Sequence, residues 1–154
     1  MFLTATLAGC LTAALGPVSF DIEVGKVAPI VQGQPIRLEV TLTYRGDRPL
    51  CVANVNYKRC CLYTLPAGWK AILKQDPVMF LQVGISEVWV KPGDKIRHTV
   101  DVRRDYEVTE TPGGYEIEIQ GLLHGEFVPN GPATLYRSVA VKVPVVIVPP
   151  GTKQ

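Results

Sequence analysis

The chain has few of the side chains that do chemistry. Its 154 residues include two histidines, four cysteines and two methionines. Neither histidine falls in a Gly-x-Ser-x-Gly, His-Glu-x-x-His or comparable constellation, so nothing pairs a nucleophile with a base and catalysis is not expected. Charge is scarce as well. Charged residues make up 19% and hydrophobic ones 47%, a balance that can bury enough apolar surface to offset chain entropy and so excludes wholesale disorder. Sixteen Lys and Arg face fourteen Asp and Glu, a net charge of +2, spread in mixed sign with no dense basic face for a phosphate backbone; nucleic acid is not an expected partner. Helical periodicity is nearly absent, and the chain is too short for a second independent core.

What is present begins with an apolar amino terminus. Residues 1–15 carry no charge and are dominated by Leu, Ala, Thr and Phe, the texture of the core of an export signal and too short for a membrane span. Within it, Leu7-Ala8-Gly9-Cys10 resembles a bacterial lipobox, which implies lipid attachment at Cys10. No Lys or Arg precedes the apolar run. The alternative use of residues 1–15 is as a retained segment packed against the body or a neighbouring subunit. Residues 16–150 then form one domain, and residues 151–154 a tail.

Cys51, Cys60 and Cys61 lie within eleven positions. A bridge from Cys51 to one member of the vicinal pair would close a short loop, with one thiol left buried or free. His98 and His124 are too distant in sequence to complete a finger-like zinc set, so no metal and no cofactor is expected.

From Gly16 onward the apolar residues recur every second position and the punctuation is Gly and Pro. Val18, Phe20, Ile22 and Val24 alternate with Ser19, Asp21 and Glu23; Ile36, Leu38, Val40, Leu42 and Tyr44 alternate with Arg37, Glu39, Thr41 and Thr43. Arg45-Gly46-Asp47-Arg48-Pro49 turns the chain toward a strand over residues 50–53. Trp69, Ala71 and Leu73 share a face, residues 78–83 form a strand, and residues 86–90 lead through the turn Lys91-Pro92-Gly93-Asp94 to Ile96, His98, Val100 and Val102. Tyr115, Ile117 and Ile119 follow Pro112-Gly113-Gly114, and residues 135–148 close the domain with Val139, Val141, Val143 and Val145 on one face. Short strands separated by turns about every ten residues predict an all-β, two-sheet antiparallel sandwich with Greek-key connections.

Over residues 20–120 the succession of Tyr44-Arg45-Gly46-Asp47-Arg48-Pro49-Leu50, Leu65-Pro66-Ala67-Gly68-Trp69-Lys70, Val90-Lys91-Pro92-Gly93-Asp94 and Gly113-Gly114-Tyr115-Glu116-Ile117 resembles bacterial extracellular immunoglobulin-like modules. Accessory domains of glycosidases and peptidases are among them, and more loosely the proteinase-inhibitor type of sandwich. The resemblance implies an immunoglobulin-like architecture; the turns it rests on specify fold and not activity. The Cys60-Cys61 loop is not part of that pattern.

The surface candidates follow. Residues 54–67 carry Tyr57, Lys58, Arg59 and Tyr63 between two strands, aromatic and basic groups of the kind a recognition loop presents. Trp69 and Trp89 fall inside alternating segments and read as core. His98 reads as a partly buried imidazole between Ile96 and Val100, His124 as a turn residue. Arg103 and Arg104 read as a solvated strand end able to pair with Asp101, Asp105, Glu107 or Glu110, carboxylates whose spacing matches no calcium loop. Arg45-Gly46-Asp47 matches an adhesion tripeptide but is also what a turn requires. The expectation is a non-catalytic module of the cell envelope or exterior that presents loops or a sheet edge to another protein or cell-surface assembly, with membrane attachment through Cys10. The alternatives are a structural subunit of a particle or filament that uses an uncleaved residues 1–15, and a proteinase inhibitor.

Overall fold

A computed structural model describes residues 18–53, 60–74, 87–126 and 134–152. Its elements are β1 (Val18–Val24), β2 (Ile30–Val31), β3 (Arg37–Tyr44), β4 (Leu50–Ala53), β5 (Cys61–Thr64), β6 (Lys70–Leu73), β7 (Glu87–Val90), β8 (Lys95–Asp101), the helical turn α1 (Val102–Asp105), β9 (Tyr106–Thr109), β10 (Gly113–Glu126), β11 (Thr134–Ser138) and β12 (Val141–Val148). The fold is all-β apart from α1.

The clearest alternation gives the clearest strand. In β3, Leu38, Val40, Leu42 and Tyr44 are buried. Their strand is flanked on one side by β1, with Phe20 opposite Tyr44, and on the other by β8, with Leu42 opposite Ile96 and Leu38 opposite Val100. Phe20 and Tyr44 stack with centroids 5.1 Å apart. The turn into β8 has Gly93 at φ 88° behind Pro92, the geometry that favours Gly there; Asp94 closes it by donating its N–H to the Lys91 carbonyl at 2.9 Å.

Ten strands form one mixed sheet, in the order β2-β12-β10-β11-β1-β3-β8 with β4 and β5 also on β10 and β7 beyond β4; β6 and β9 make a separate two-stranded ribbon. Two pairings, β1 with β11 and β2 with β12, are parallel. The wholly antiparallel arrangement expected from the sequence is therefore corrected: alternation reveals which face of a strand is wet, but not the direction of its neighbour.

The long strand β10 holds the sheet together. Its first half pairs with β12, Gly113 to Ile119 facing Ile147 to Val141, and with β5, where Gly121 faces Cys61. Its second half pairs with β11, Leu122 facing Arg137, and with β4, where Glu126 faces Cys51. The change of partners falls at Gly121. On the side that passes from β12 to β11 the ladder is interrupted there, and the Gly121 N–H donates to the Ser138 hydroxyl at 2.8 Å, which itself donates to the Val139 carbonyl at 2.7 Å. Leu42 packs so closely over Gly121 that an added Cβ would meet its Cδ1 at 2.8 Å.

That register also disposes of the expected disulfide. Cys51, Cys60 and Cys61 are free thiols. Cys51 lies opposite Glu126 and Cys61 opposite Gly121, five positions apart on β10; at ~3.3 Å per residue this is about 16 Å, far beyond the ~7 Å Cα limit for a bridge.

Other expectations change for similar reasons. Residues 135–148 are two strands broken at Val139, which is exposed. Val102 opens α1 instead of extending β8, with Asp101 capping the turn by accepting the Arg104 N–H at 3.2 Å. His124, expected in a turn, lies inside β10 opposite Leu135. Trp69 is buried against Tyr115, centroids 5.2 Å apart, but Trp89 is 44% exposed. It stands opposite Cys51 on β7, on the face away from the core that its neighbour Val90 enters. The strand expected at residues 78–83 lies outside the described residues.

One ion pair ties the periphery to this core. Glu110, almost wholly buried, accepts from the Arg103 guanidinium and from the Gly33 N–H at 2.9 Å, while its carbonyl accepts from the Gln32 amide at 2.8 Å. Arg103 also donates to the Gln34 and Val108 carbonyls at 2.8 and 3.0 Å. The group clasps the turn between β2 and β3 to α1 and β9. Removing one partner leaves the other charge in a poorly solvated place, so Glu110→Ala is expected to lower unfolding free energy by about 2 kcal/mol, discounted for the partial exposure of Arg103. Urea titration measures it, and a loss below about 0.5 kcal/mol, the range of ordinary surface substitutions, would contradict the clasp.

Candidate functional site

Where β8 gives way to α1 and the ribbon begins, charged, aromatic and apolar groups gather on one rim. The helical turn places Arg104 and Asp105 on the outside. Asp105 takes both neighbours at once, accepting from the Tyr63 hydroxyl at 2.7 Å and from the Arg104 guanidinium at 2.9 Å. Tyr63 comes from β5, more than forty residues earlier, and meets Tyr106 of β9 edge to face with centroids 5.9 Å apart. Burial, and then the hydrogen bond to Asp105, push the Tyr63 hydroxyl well above the usual tyrosine range, so it is a neutral donor at all working pH values. The hydrogen bond to Asp105 keeps Arg104 firmly charged.

The ribbon is joined to this group by its backbone. The Lys74 N–H donates to the Asp105 carbonyl at 2.9 Å, and the Lys74 ammonium to the Arg103 carbonyl at 2.6 Å. Along β6, Lys70 faces Thr109, Ala71 faces Val108, Ile72 faces Glu107 and Leu73 faces Tyr106. All four β6 residues are exposed, Ile72 at 69% and Leu73 at 66%. The sequence reading put Ala71 and Leu73 on an inner face. They are outside because β6 pairs, among the described residues, with β9 alone and no layer covers it.

His98 sits on β8 between the buried Ile96 and Val100, itself half-buried. Burial first, and the positive Arg104 second, hold its imidazole below its ordinary value of 6.5, with Asp105 and Glu39 opposing. Both Asp105 oxygens are engaged, Tyr63 resists ionisation, and His98 has a neutral imidazole at neutral pH. Among the described residues no group of three or more His, Cys, Asp or Glu is placed to hold a metal ion, so Asp101, Asp105, Glu107 and Glu110 do not converge. Two open grooves lie among the described residues. One of about 130 Å³ lies between Val88, Trp89 and Val90 and Asp94, Lys95 and Ile96; another of about 410 Å³ runs past Lys26, Val27, Pro29, Ile30, Gln34 and Arg37.

Of the residues the sequence put forward for binding, Tyr63 is on this rim, while Tyr57, Lys58, Arg59 and Cys10 lie outside the described residues. Cys51 is covered on the outer face, its thiol pushed up by burial and by Glu87. Ile72, Leu73 and Tyr106 were missed as site residues. The available signal was the unbroken run Ala71-Ile72-Leu73 between Lys70 and Lys74, which does not alternate as a half-buried strand should. No protein-family model matches the chain, and no curated protein matches it in sequence.

The direction of the His98 shift fixes a pH dependence. The folded protein holds the imidazole neutral more strongly than the unfolded chain does, so the unfolded chain binds more protons in acid. The contribution is complete above about pH 6.5 and is lost as pH falls through the unfolded and then the folded value. Thermal unfolding from pH 7.5 to 5 should therefore show a steeper fall for the wild type than for His98→Gln; parallel curves would contradict this.

Proposed function

We propose that the protein is a non-catalytic binding or assembly module, an immunoglobulin-like sandwich in its general plan, which works at the cell envelope or outside the cell and uses the β6 rim to engage another protein. The observation that carries this is the exposed Ile72 and Leu73 on an outer strand with basic Lys70 and Lys74 at its ends and the Tyr63–Asp105–Arg104 group beside it. Apolar and aromatic side chains rimmed by charge are the composition of protein–protein contact surfaces. An outer strand can also pair its free backbone with an extended segment of a partner, gaining main-chain hydrogen bonds with the side-chain contacts. The apolar residues 1–15 with Leu7-Ala8-Gly9-Cys10 support export and lipid attachment at Cys10.

A photoreactive phenylalanine analogue placed at Ile72, and in a control at the exposed Val146 of β12, tests the reading in the native envelope. The expected result is one discrete cross-linked protein from position 72 and none from 146, lost when Leu73 is also changed to Lys. Equal labelling from both positions, or none from 72, would overturn the rim. Intact mass of the native protein tests the location, since a chain beginning at diacylated Cys10 fits the anchor and an intact Met1 contradicts it.

A further inference from the structure

Among the described residues β8 pairs with β3 alone, which leaves its other edge open. The bonds at the two ends of that pairing fix its phase. Val102 donates its N–H to the Ile36 carbonyl at 3.0 Å, and Tyr44 donates its N–H to the Asp94 carbonyl at 3.0 Å. Bonded and non-bonded pairs alternate along an antiparallel ladder. With Arg37 opposite Asp101 and Thr43 opposite Lys95, the residues bonded to β3 are then Ile96, His98 and Val100. Lys95, Arg97, Thr99 and Asp101 turn their backbone N–H and C=O groups to the open edge. Among the described residues β7 pairs only with β4, and a groove of about 130 Å³ lies between it and the start of β8.

We propose that two copies of this chain pair antiparallel through β8, about a two-fold axis at His98, so that one sheet runs through both molecules. The outward residues alone can exchange bonds across the axis, and charge selects their register. With the axis at His98, Lys95 faces Asp101 of the second copy and Arg97 faces its Thr99, each pair occurring twice, and every outward residue is bonded. An axis at Arg97 would set two arginines opposite each other, which is unfavourable, and carry Asp101 to the turn at Gly93. An axis at Thr99 would set Lys95 against Arg103 in α1. At the favoured axis the two His98 residues form a non-bonded pair, and their imidazoles, neutral at neutral pH, do not repel.

The outer face supports the same register. Asp101 is already 3.0 Å from the Arg37 guanidinium, so it would lie between Arg37 and Lys95 of the second copy, cation on either side. Glu39 accepts from the Thr99 hydroxyl at 3.0 Å, which brings a carboxylate to the row that Arg97 of the second copy enters. Lysine on a bare edge ordinarily guards it against pairing; here the guarding charge finds its complement in the copy. Each exposed ion pair contributes little alone, and the main-chain bonds supply the attraction while the charges set the register. The β8 edge shares no residue with β6, so this interface is independent of the rim.

Sedimentation equilibrium of the full chain at pH 7.5 and low salt, with amide hydrogen exchange in dilute and concentrated samples, tests the proposal. The wild type should pass reversibly from monomer to dimer. The amides of Lys95, Arg97 and Thr99 should gain at least tenfold protection on concentration, while those of Ile96, His98 and Val100, bonded to β3 in both states, should not change. Thr99→Pro removes an outward N–H without breaking a bond to β3, and should leave a monomer with the wild-type circular dichroism spectrum. Lys95→Asp keeps every backbone group, sets acid against acid, and should weaken association at least tenfold; it decides the matter where Thr99→Pro does not fold. A chain that stays monomeric at millimolar concentration, a dimer that Lys95→Asp does not weaken, or a dimer in which the amides of Lys95, Arg97 and Thr99 exchange as fast as in the monomer would overturn the proposal.

Discussion

A single strand serving two sets of partners sets a problem of backbone hydrogen bonding. A peptide N–H taken out of the ladder inside a folded protein costs about 1–3 kcal/mol if nothing receives it. β10 meets that cost at Gly121, where β12 and β5 hand over to β11 and β4. Ser138 resolves it, because its hydroxyl accepts from Gly121 and donates to Val139, so neither polar group is stranded. The absence of a side chain at Gly121 lets Leu42 close over the crossing. The buried cluster that includes Leu42, Phe20, Ile117, Ile119 and Leu123 is therefore continuous through the point where the sheet changes partners.

The remaining features are attached to that frame. β8 is held on β3 and delivers Asp101 to cap α1; α1 delivers Arg103 inward to Glu110 and Arg104 with Asp105 outward to Tyr63. One helical turn of four residues thus sorts two adjacent arginines into different work, one as a buried clasp and one as a charged group on the rim. The ribbon of β6 and β9 inherits its position from the same turn through Lys74. Ile72 and Leu73 of β6 remain uncovered because β6 pairs, among the described residues, with β9 alone, whereas Val108 of β9 is buried in the core.

Much of this frame can be read from residue order alone. The even–odd rhythm of Leu38, Val40, Leu42 and Tyr44, and of Phe20 and Ile22, reports burial directly, and Lys91-Pro92-Gly93-Asp94 specifies its turn through the conformational limits of Pro and Gly. What period two does not carry is the identity and direction of a strand's neighbour, which is fixed by contacts distant in sequence. The parallel pairings, the break at Val139, the strand position of His124 and the separation of Cys51 from Cys61 all depend on such contacts. Trp89 shows the same limit on a smaller scale: the alternation is present, but the aromatic occupies the outer phase of it and Val90 the inner. The site was legible in part. Tyr63 could be picked out as an aromatic near a basic loop, but its partner Asp105 is brought to it by the fold, and the exposure of Ile72 and Leu73 follows from the isolation of the ribbon.

The amide of Gly121 tests the account most directly. By hydrogen exchange on the native protein it should be among the slowest amides, opening only with global unfolding. In Ser138→Ala its protection should fall together with that of its β10 neighbours, with unfolding free energy lower by about 1–3 kcal/mol for the stranded donor. A Gly121 amide that exchanges within seconds in the native protein, or one whose protection is unchanged in Ser138→Ala, would contradict a sheet that turns on this bond.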